Sequence, residues 1–153
     1  MNKIAQRLAE LGLEIPSPVA PVANYVPFVH SGNALYISGQ VSMAATGLIK
    51  GKLGADMSVE GGAEAAKACA INLIAQMKAA LNGDLSRVRR IVKLTGFVNC
   101  TPDFTEQPKV MNGASDLMVQ VFGDAGRHAR AAVGAPSLPL GAAVEVDAIV
   151  EIA

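Results

Sequence analysis

Val144-Glu145-Val146-Asp147-Ala148-Ile149-Val150-Glu151-Ile152 alternates with a period of two. Val144, Val146, Ala148, Val150 and Ile152 fall on one side of an extended chain, and Glu145, Asp147, Ile149 and Glu151 on the other. A stretch with one apolar side is a strand lying on a core, so 143–152 is read as a half-buried β-strand. Before it, Ala129-Arg130-Ala131-Ala132-Val133-Gly134-Ala135 makes a second strand, and Pro136-Ser137-Leu138-Pro139-Leu140-Gly141 separates the two.

Further back, helical spacing replaces alternation. Over 107–122, Pro108 stands near the first turn, Val110, Met111, Ala114, Leu117, Met118 and Val121 form one apolar stripe, and Gly123 ends the helix. Residues 88–98 are rich in β-branched residues and read as a strand. A longer helix runs from Ser58, its N-cap, to Gly83, with Ala63, Ala66, Ala70, Leu73, Ile74, Met77 and Leu81 on one stripe. Toward the N-terminus, Asn24–Val29 and Ala34–Ser38 flank Ser31-Gly32-Asn33 and predict a β-hairpin, with a further strand or loop over 39–52. Residues 3–12 predict a short amphipathic helix, followed by a Pro-rich connector over 16–23. The order β-β-(β)-α-β-α-β-β predicts an α+β two-layer domain with a mixed or antiparallel sheet and two helices. Residues 1–20 form an N-terminal helix and connector, and 21–153 the domain proper.

The 153 residues carry 13 Lys or Arg and 13 Asp or Glu, a formal net charge of zero. Binding driven by phosphate neutralisation needs a positive excess, so the charge balance disfavours nucleic acid as a partner. Residues 15–49 contain no charged side chain at all. Pro16, Pro18, Pro21, Pro27 and several glycines bar a membrane-spanning helix there. Scarcity of charge points instead to an oligomer interface, whose buried core is depleted in charge, with a sheet buried inside a monomer as the alternative. Two cysteines and two histidines, scattered along the chain, do not make a zinc site, and no metal or cofactor is expected. Cys69, among alanines and leucine, reads as a small buried hydrophobe, and Cys100, before Thr101-Pro102, as a thiol open to solvent. Charges at the N-terminus interrupt any secretory signal, so a cytoplasmic location is expected.

No phosphate-binding loop, dinucleotide fingerprint or nucleophile elbow occurs. Gly61-Gly62 is a weak phosphate candidate and more simply a close-packing device. Arg87, Arg89, Arg90 and Lys93 form a basic run, read as a solvated strand entrance or an RNA contact. Arg130 is the only charged residue between His128 and Glu145, set among small neighbours that leave room for a bidentate grip on a carboxylate. If the last two strands pair about the loop near 138, Arg130 falls opposite residues 145–147, within reach of an ion pair. A structural Arg–Glu pair and a substrate site are both open on these residues alone.

Ser38-Gly39-Gln40, Phe97-Val98-Asn99, Asn112-Gly113-Ala114, Ala129-Arg130-Ala131-Ala132-Val133, Leu138-Pro139 and Val144–Val150, in this order, resemble the reactive-intermediate deaminase family (YjgF-like or Rid, also termed the endoribonuclease L-PSP family) over about residues 20–153. The chain reads as a divergent branch of it with an N-terminal extension. The resemblance implies a chorismate-mutase-like fold and a homotrimer with small-molecule clefts between subunits. It implies hydrolysis of enamine or imine intermediates, such as 2-aminoacrylate released by pyridoxal-phosphate enzymes, to a 2-keto acid and ammonia, without metal or cofactor. Arg130 matches the arginine that clamps the substrate carboxylate, and Glu145 the glutamate that positions or activates water. Tyr25, Ser38, Gly39 and Asn112 match positions that line or close the cleft.

The chain departs from the pattern at two positions and in the segment between Phe104 and Asn112, a few residues longer than in the typical deaminase. Ala132 stands where the family's deaminases commonly have Cys, which removes any thiol nucleophile there, and His128-Ala129 replaces Pro-Ala. His128 is either a cleft residue of this branch or an exposed residue at the strand entry. Two other functions compete with deaminase activity: a non-catalytic trimer binding a keto acid as sensor or partner of another enzyme, and an endoribonuclease, which the zero net charge disfavours.

Overall fold

The computed structural model describes residues 2–21 and 23–153; Met1 in the N-terminal segment and Val22 in the connector lie outside the described residues. The elements in chain order are α1 (Lys3–Glu10), β1 (Phe28–Ser31), β2 (Ala34–Val41), β3 (Met43–Ala44), β4 (Gly47–Leu48), α2 (Val59–Ala80), β5 (Val88–Asn99), α3 (Gln107–Phe122), β6 (Ala129–Ala135) and β7 (Val144–Ile152). Five strands form one sheet in the order β1-β2-β7-β5-β6, and β3 and β4 form a separate small hairpin. The sheet is mixed: β6 runs parallel to β5, and every other neighbouring pair is antiparallel.

Alternation in β7 has the consequence expected of it. Val144, Val146, Ala148, Val150 and Ile152 are buried beneath the helices, while Glu145, Asp147 and Ile149 are half-buried on the other side. Helix α2 starts where Ser58 accepts a hydrogen bond from the Gly61 N–H at 3.0 Å, satisfying one of the orphan donors of its first turn. Its stripe of Ala66, Ala70, Leu73, Ile74 and Met77 lies fully buried against the sheet and α3, and Gly62 packs on Leu53 and Val110. Each wholly buried leucine here, such as Leu73 or Leu94, contributes about 1.5–3 kcal/mol. Helix α1 docks outside this layer through Leu8, with the Arg7 guanidinium donating to the Val121 carbonyl.

The pairing of β6 differs from the sequence expectation. It does not turn back onto β7; the connection after it crosses over, and β5 lies between the two. Leu94 of β5 is flanked by Arg130 on one side and Ala148 on the other, and Phe97 by Val133 and Glu145. A parallel β5–β6 pair is the product of the helical crossover through α3, and β7 then takes the other, antiparallel edge of β5. Cys100 is also not the open thiol expected of it: it is buried, with the Gln107 amide 3.7 Å from its sulfur. Cys69 is buried as expected, and burial, with the nearby Glu145 charge adding to it, pushes its thiol up from the usual range.

Both helices of the domain cover one side of the sheet. The other side is bare, and register neighbours across it make rows: Val29, Tyr36, Ile149, Lys93 and Ala129 in one, Val41, Glu145, Phe97 and Val133 in another. The charge-free first third therefore does not form a sheet buried on both sides within one chain: Val29 and Tyr36, and Val133 opposite them on the far edge, are about half exposed. No helix among the described residues is long and apolar enough to cross a membrane.

Candidate functional site

Side chains that are register neighbours point to the same side of a sheet. Arg130 shares a side with Leu94, under α3, whereas Glu145 shares the bare side with Phe97. Two strand spacings and a three-residue offset separate them, roughly 14 Å between Cα atoms, in addition to the sheet itself. No ion pair joins the two within the chain, which overturns the pairing considered from sequence. The seven candidate residues instead fall into two groups.

The first group lies where β6 meets α3. The guanidinium Nη1 of Arg130 donates to Asn112 Oδ1 at 3.0 Å and to Ser115 Oγ at 3.1 Å, and Nη2 donates to the Pro108 carbonyl at 3.3 Å. All three acceptors are neutral. Asn112 and Ser115 stand three residues apart on α3, one turn above the other, which is why one guanidinium reaches both. Of five N–H donors, the Nε–H and one on Nη2 remain outside these bonds, sufficient for a two-point grip on one carboxylate. Ala132 follows on the same side of β6, paired with Gly96, and leaves that strip without a side chain beyond Cβ.

The second group lies on the bare side, around a bulge in β2 between Ile37 and Gln40. The bulge carries Ser38 and Gly39 out of the ladder. Gly39 is turned onto Glu145 so closely that a Cβ there would be 2.8 Å from Oε2, and only glycine fits without moving the carboxylate. Ser38 donates its hydroxyl to the Val26 carbonyl at 2.7 Å and its N–H to the Pro27 carbonyl, pinning the loop that carries Tyr25. Tyr25 and Gly39 share a small cavity of about 60 Å³ with Val41 and Leu140. Ser38 is thus occupied in holding a loop, while Tyr25 is exposed.

Glu145, between Val41 and Phe97, is held above the ordinary carboxylate range by burial first and by the neighbouring Asp147 charge second. Burial also raises Asp147, against the opposing pull of Thr95 and Lys93. Two further residues enter the first group: Ser115, which the sequence did not single out, and His128, one of whose two readings was a cleft residue, its Nε2 lying 2.9 Å from Ser115 Oγ. The signal for Ser115 was its spacing from Asn112. For His128 nothing in the sequence could tell a tied histidine from an exposed one. No group of three or more His, Cys, Asp or Glu suited to holding a metal ion occurs among the described residues.

Comparison with known proteins places this arrangement. Protein TCP17 of Trypanosoma cruzi is 53% identical over 153 residues, covering 99% of this chain and 95% of TCP17. The crystal structure of Atu1372 from Agrobacterium tumefaciens, described as having unknown function, is 54% identical with a TM-score of 0.91 and covers 98% of this chain and 92% of Atu1372. That of a "putative endoribonuclease" from Shewanella oneidensis MR-1 is 39% identical with a TM-score of 0.94, covering 99% of this chain and 100% of the other. Residues 5–152 match the family described as "YjgF/chorismate_mutase-like, putative endoribonuclease". Since that match takes in both groups of residues and every strand between them, the chain belongs to the YjgF/chorismate-mutase-like, L-PSP endoribonuclease family.

Proposed function

We propose that this protein hydrolyses reactive enamine and imine intermediates bearing a carboxylate, of the 2-aminoacrylate type, to a 2-keto acid and ammonia. We further propose that it does so as a homotrimer whose clefts join the Arg130 group of one subunit to the Glu145 group of the next. The observation that carries this reading is the guanidinium of Arg130, held by three neutral acceptors with two donors remaining and, among the described residues, no carboxylate paired with it. A fixed cation of that kind is matched by an external carboxylate.

The bare side of the sheet supplies the assembly surface, and burial of its Val29, Tyr36 and Val41 between subunits would account for the missing charges of residues 15–49. In the cleft, Arg130 fixes the carboxylate of the imine, CH₃–C(=NH₂⁺)–COO⁻. Glu145 takes a proton from water as its oxygen bonds to C2, giving a carbinolamine. That proton passes from Glu145 to the nitrogen, the C–N bond breaks as the C2=O bond forms, and the hydroxyl proton goes to the departing ammonia, which leaves as ammonium. A carboxylate raised by burial is a better proton acceptor near neutral pH than an ordinary one, and the substrate's own lability leaves orientation as the main demand. Ala132 supplies no nucleophile, consistent with a direct attack by water.

The test generates 2-aminoacrylate in situ and follows its decay and the keto acid with purified protein. Acceleration lost in Arg130→Ala and Glu145→Gln supports the reading. No acceleration by wild type, with 2-oxobutyrate still bound through Arg130, would replace it with the keto-acid-binding trimer. Ribonuclease activity, the function named in the family description, rests here only on the basic run, and Arg87 of that run is already spent on the Ala153 carbonyl through two hydrogen bonds.

A further inference from the structure

We infer that His128 and Ser115 form a one-directional hydrogen-bond relay that sets the guanidinium of Arg130, so that both are positioning residues of the carboxylate site. The inference rests on the reading of Arg130 as that site's clamp.

The proton positions follow from one fixed point. His128 Nδ1 lies 2.6 Å from the Gly126 carbonyl oxygen, which can only accept, so Nδ1 carries the hydrogen. In the neutral ring Nε2 is then an acceptor, and Ser115, 2.9 Å away, donates its single hydroxyl hydrogen to it. With that hydrogen committed, the serine oxygen turns lone pairs to Arg130, whose Nη1 donates at 3.1 Å. Protons thus point one way along the whole chain, from Arg130 to Ser115 to His128 to Gly126, and bonds so aligned polarise one another.

The anchor is rigid. Gly126 is buried, and a Cβ there would lie 2.1 Å from the Met118 carbonyl oxygen, so its backbone is pressed onto α3. A serine inside a helix ordinarily turns its hydroxyl back to a carbonyl of its own helix. Ser115 instead sits between an imidazole acceptor and a cation. Its effect on Arg130 is to fix one Nη1 hydrogen while Asn112 fixes the other, which stops the guanidinium plane from turning and leaves its two remaining donors in a constant direction. His128 never touches the carboxylate; it acts through Ser115.

The experiment combines calorimetric titration of 2-oxobutyrate into the full-length protein with ¹⁵N NMR of the His128 ring and the Arg130 guanidinium. Wild type is expected to show hydrogen on His128 Nδ1 and none on Nε2. Ser115→Ala and His128→Leu should each weaken 2-oxobutyrate binding about 5- to 10-fold, the worth of one ordinary net hydrogen bond, and should loosen the Arg130 guanidinium. His128→Gln, whose amide oxygen can accept near the position of Nε2, should restore most of the affinity. The double variant should bind no worse than Ser115→Ala alone, because His128 has no route to Arg130 except through that serine. An Nε2–H tautomer, unchanged Arg130 signals in His128→Leu, or additive losses in the double variant would each overturn the relay. If Arg130 loosens in His128→Leu while wild type itself fails to bind 2-oxobutyrate, the relay stands and the carboxylate reading of Arg130 falls.

Discussion

Gly39 and Glu145 meet across the β2 bulge: the glycine backbone passes so close to the carboxylate that an added methyl would sit 2.8 Å from Oε2. The bulge that sends β2 out of register lies at the same place, so Glu145 faces the bare Gly39 backbone and not a side chain. Gly39→Ala should therefore displace the carboxylate. We expect kcat for imine hydrolysis to fall about 10- to 100-fold, a cost of the size a misplaced catalytic group incurs. Affinity for 2-oxobutyrate, which is assigned to Arg130, should move much less. Steady-state kinetics beside calorimetry on the same preparation checks this, and an equal loss in both would remove Glu145 from the chemistry.

Arg130 bonds to three acceptors through two different nitrogens, which a single ammonium cannot reproduce. Arg130→Lys is accordingly expected to be nearly as damaging as Arg130→Ala: KM should rise at least about 10-fold in both, with the melting temperature little changed because the site is half-exposed. Near-normal KM in the lysine variant would show that a positive charge alone suffices.

Burial raises both Glu145 and Asp147, so their neutral forms are favoured in the folded chain. The stability this contributes is complete below the ordinary carboxylate range and is lost as pH rises through the raised values. Glu145→Gln and Asp147→Asn should then raise the melting temperature at pH 8 and lose that advantage at pH 4. Activity should run the other way, increasing with pH as Glu145 ionises, and Glu145→Gln should abolish that rise. Melting curves and kcat/KM measured from pH 4 to 8 test both signs.

Which of these features could be read from residues alone depends on how local their causes are. β7 was legible because its core-facing side repeats every second residue, and α2 because Ser58 caps it and its alanine stripe keeps helical spacing. The neighbour of β6 was not. Ala, Arg, Ala, Ala, Val, Gly and Ala carry little contrast between sides, and an eight-residue Pro-containing link to β7 resembles a hairpin loop. What decides the pairing is non-local: α3 carries the chain across so that β6 pairs in parallel with β5. Arg130 and Glu145 could be singled out as isolated charges, but their placement on opposite sides follows only from that topology. Ser115 escaped, and the two readings of His128 stayed open, for the same reason, since their contact needs the turn at 123–126 to bring β6 back against α3.

The opposite-side placement makes the proposed assembly testable without a structure of the complex. If each cleft draws Arg130 from one subunit and Glu145 from another, two individually inactive proteins can complement. Chains carrying Arg130→Ala, unfolded and refolded together with chains carrying Glu145→Gln, will form mixed trimers. For random assembly from equal amounts, a given cleft has an intact arginine on one side and an intact glutamate on the other in about one case in four, so activity should recover to about a quarter of wild type. A cleft built within one chain yields no recovery at any mixing ratio, because every chain lacks one of the two groups. Val133→Asp, which puts a charge beside Phe97 on the bare side of the sheet, sharpens the comparison. It leaves both groups intact in each chain, yet it should shift the sizing profile toward monomer and abolish hydrolysis, whereas a monomer that retained full activity would exclude a shared cleft.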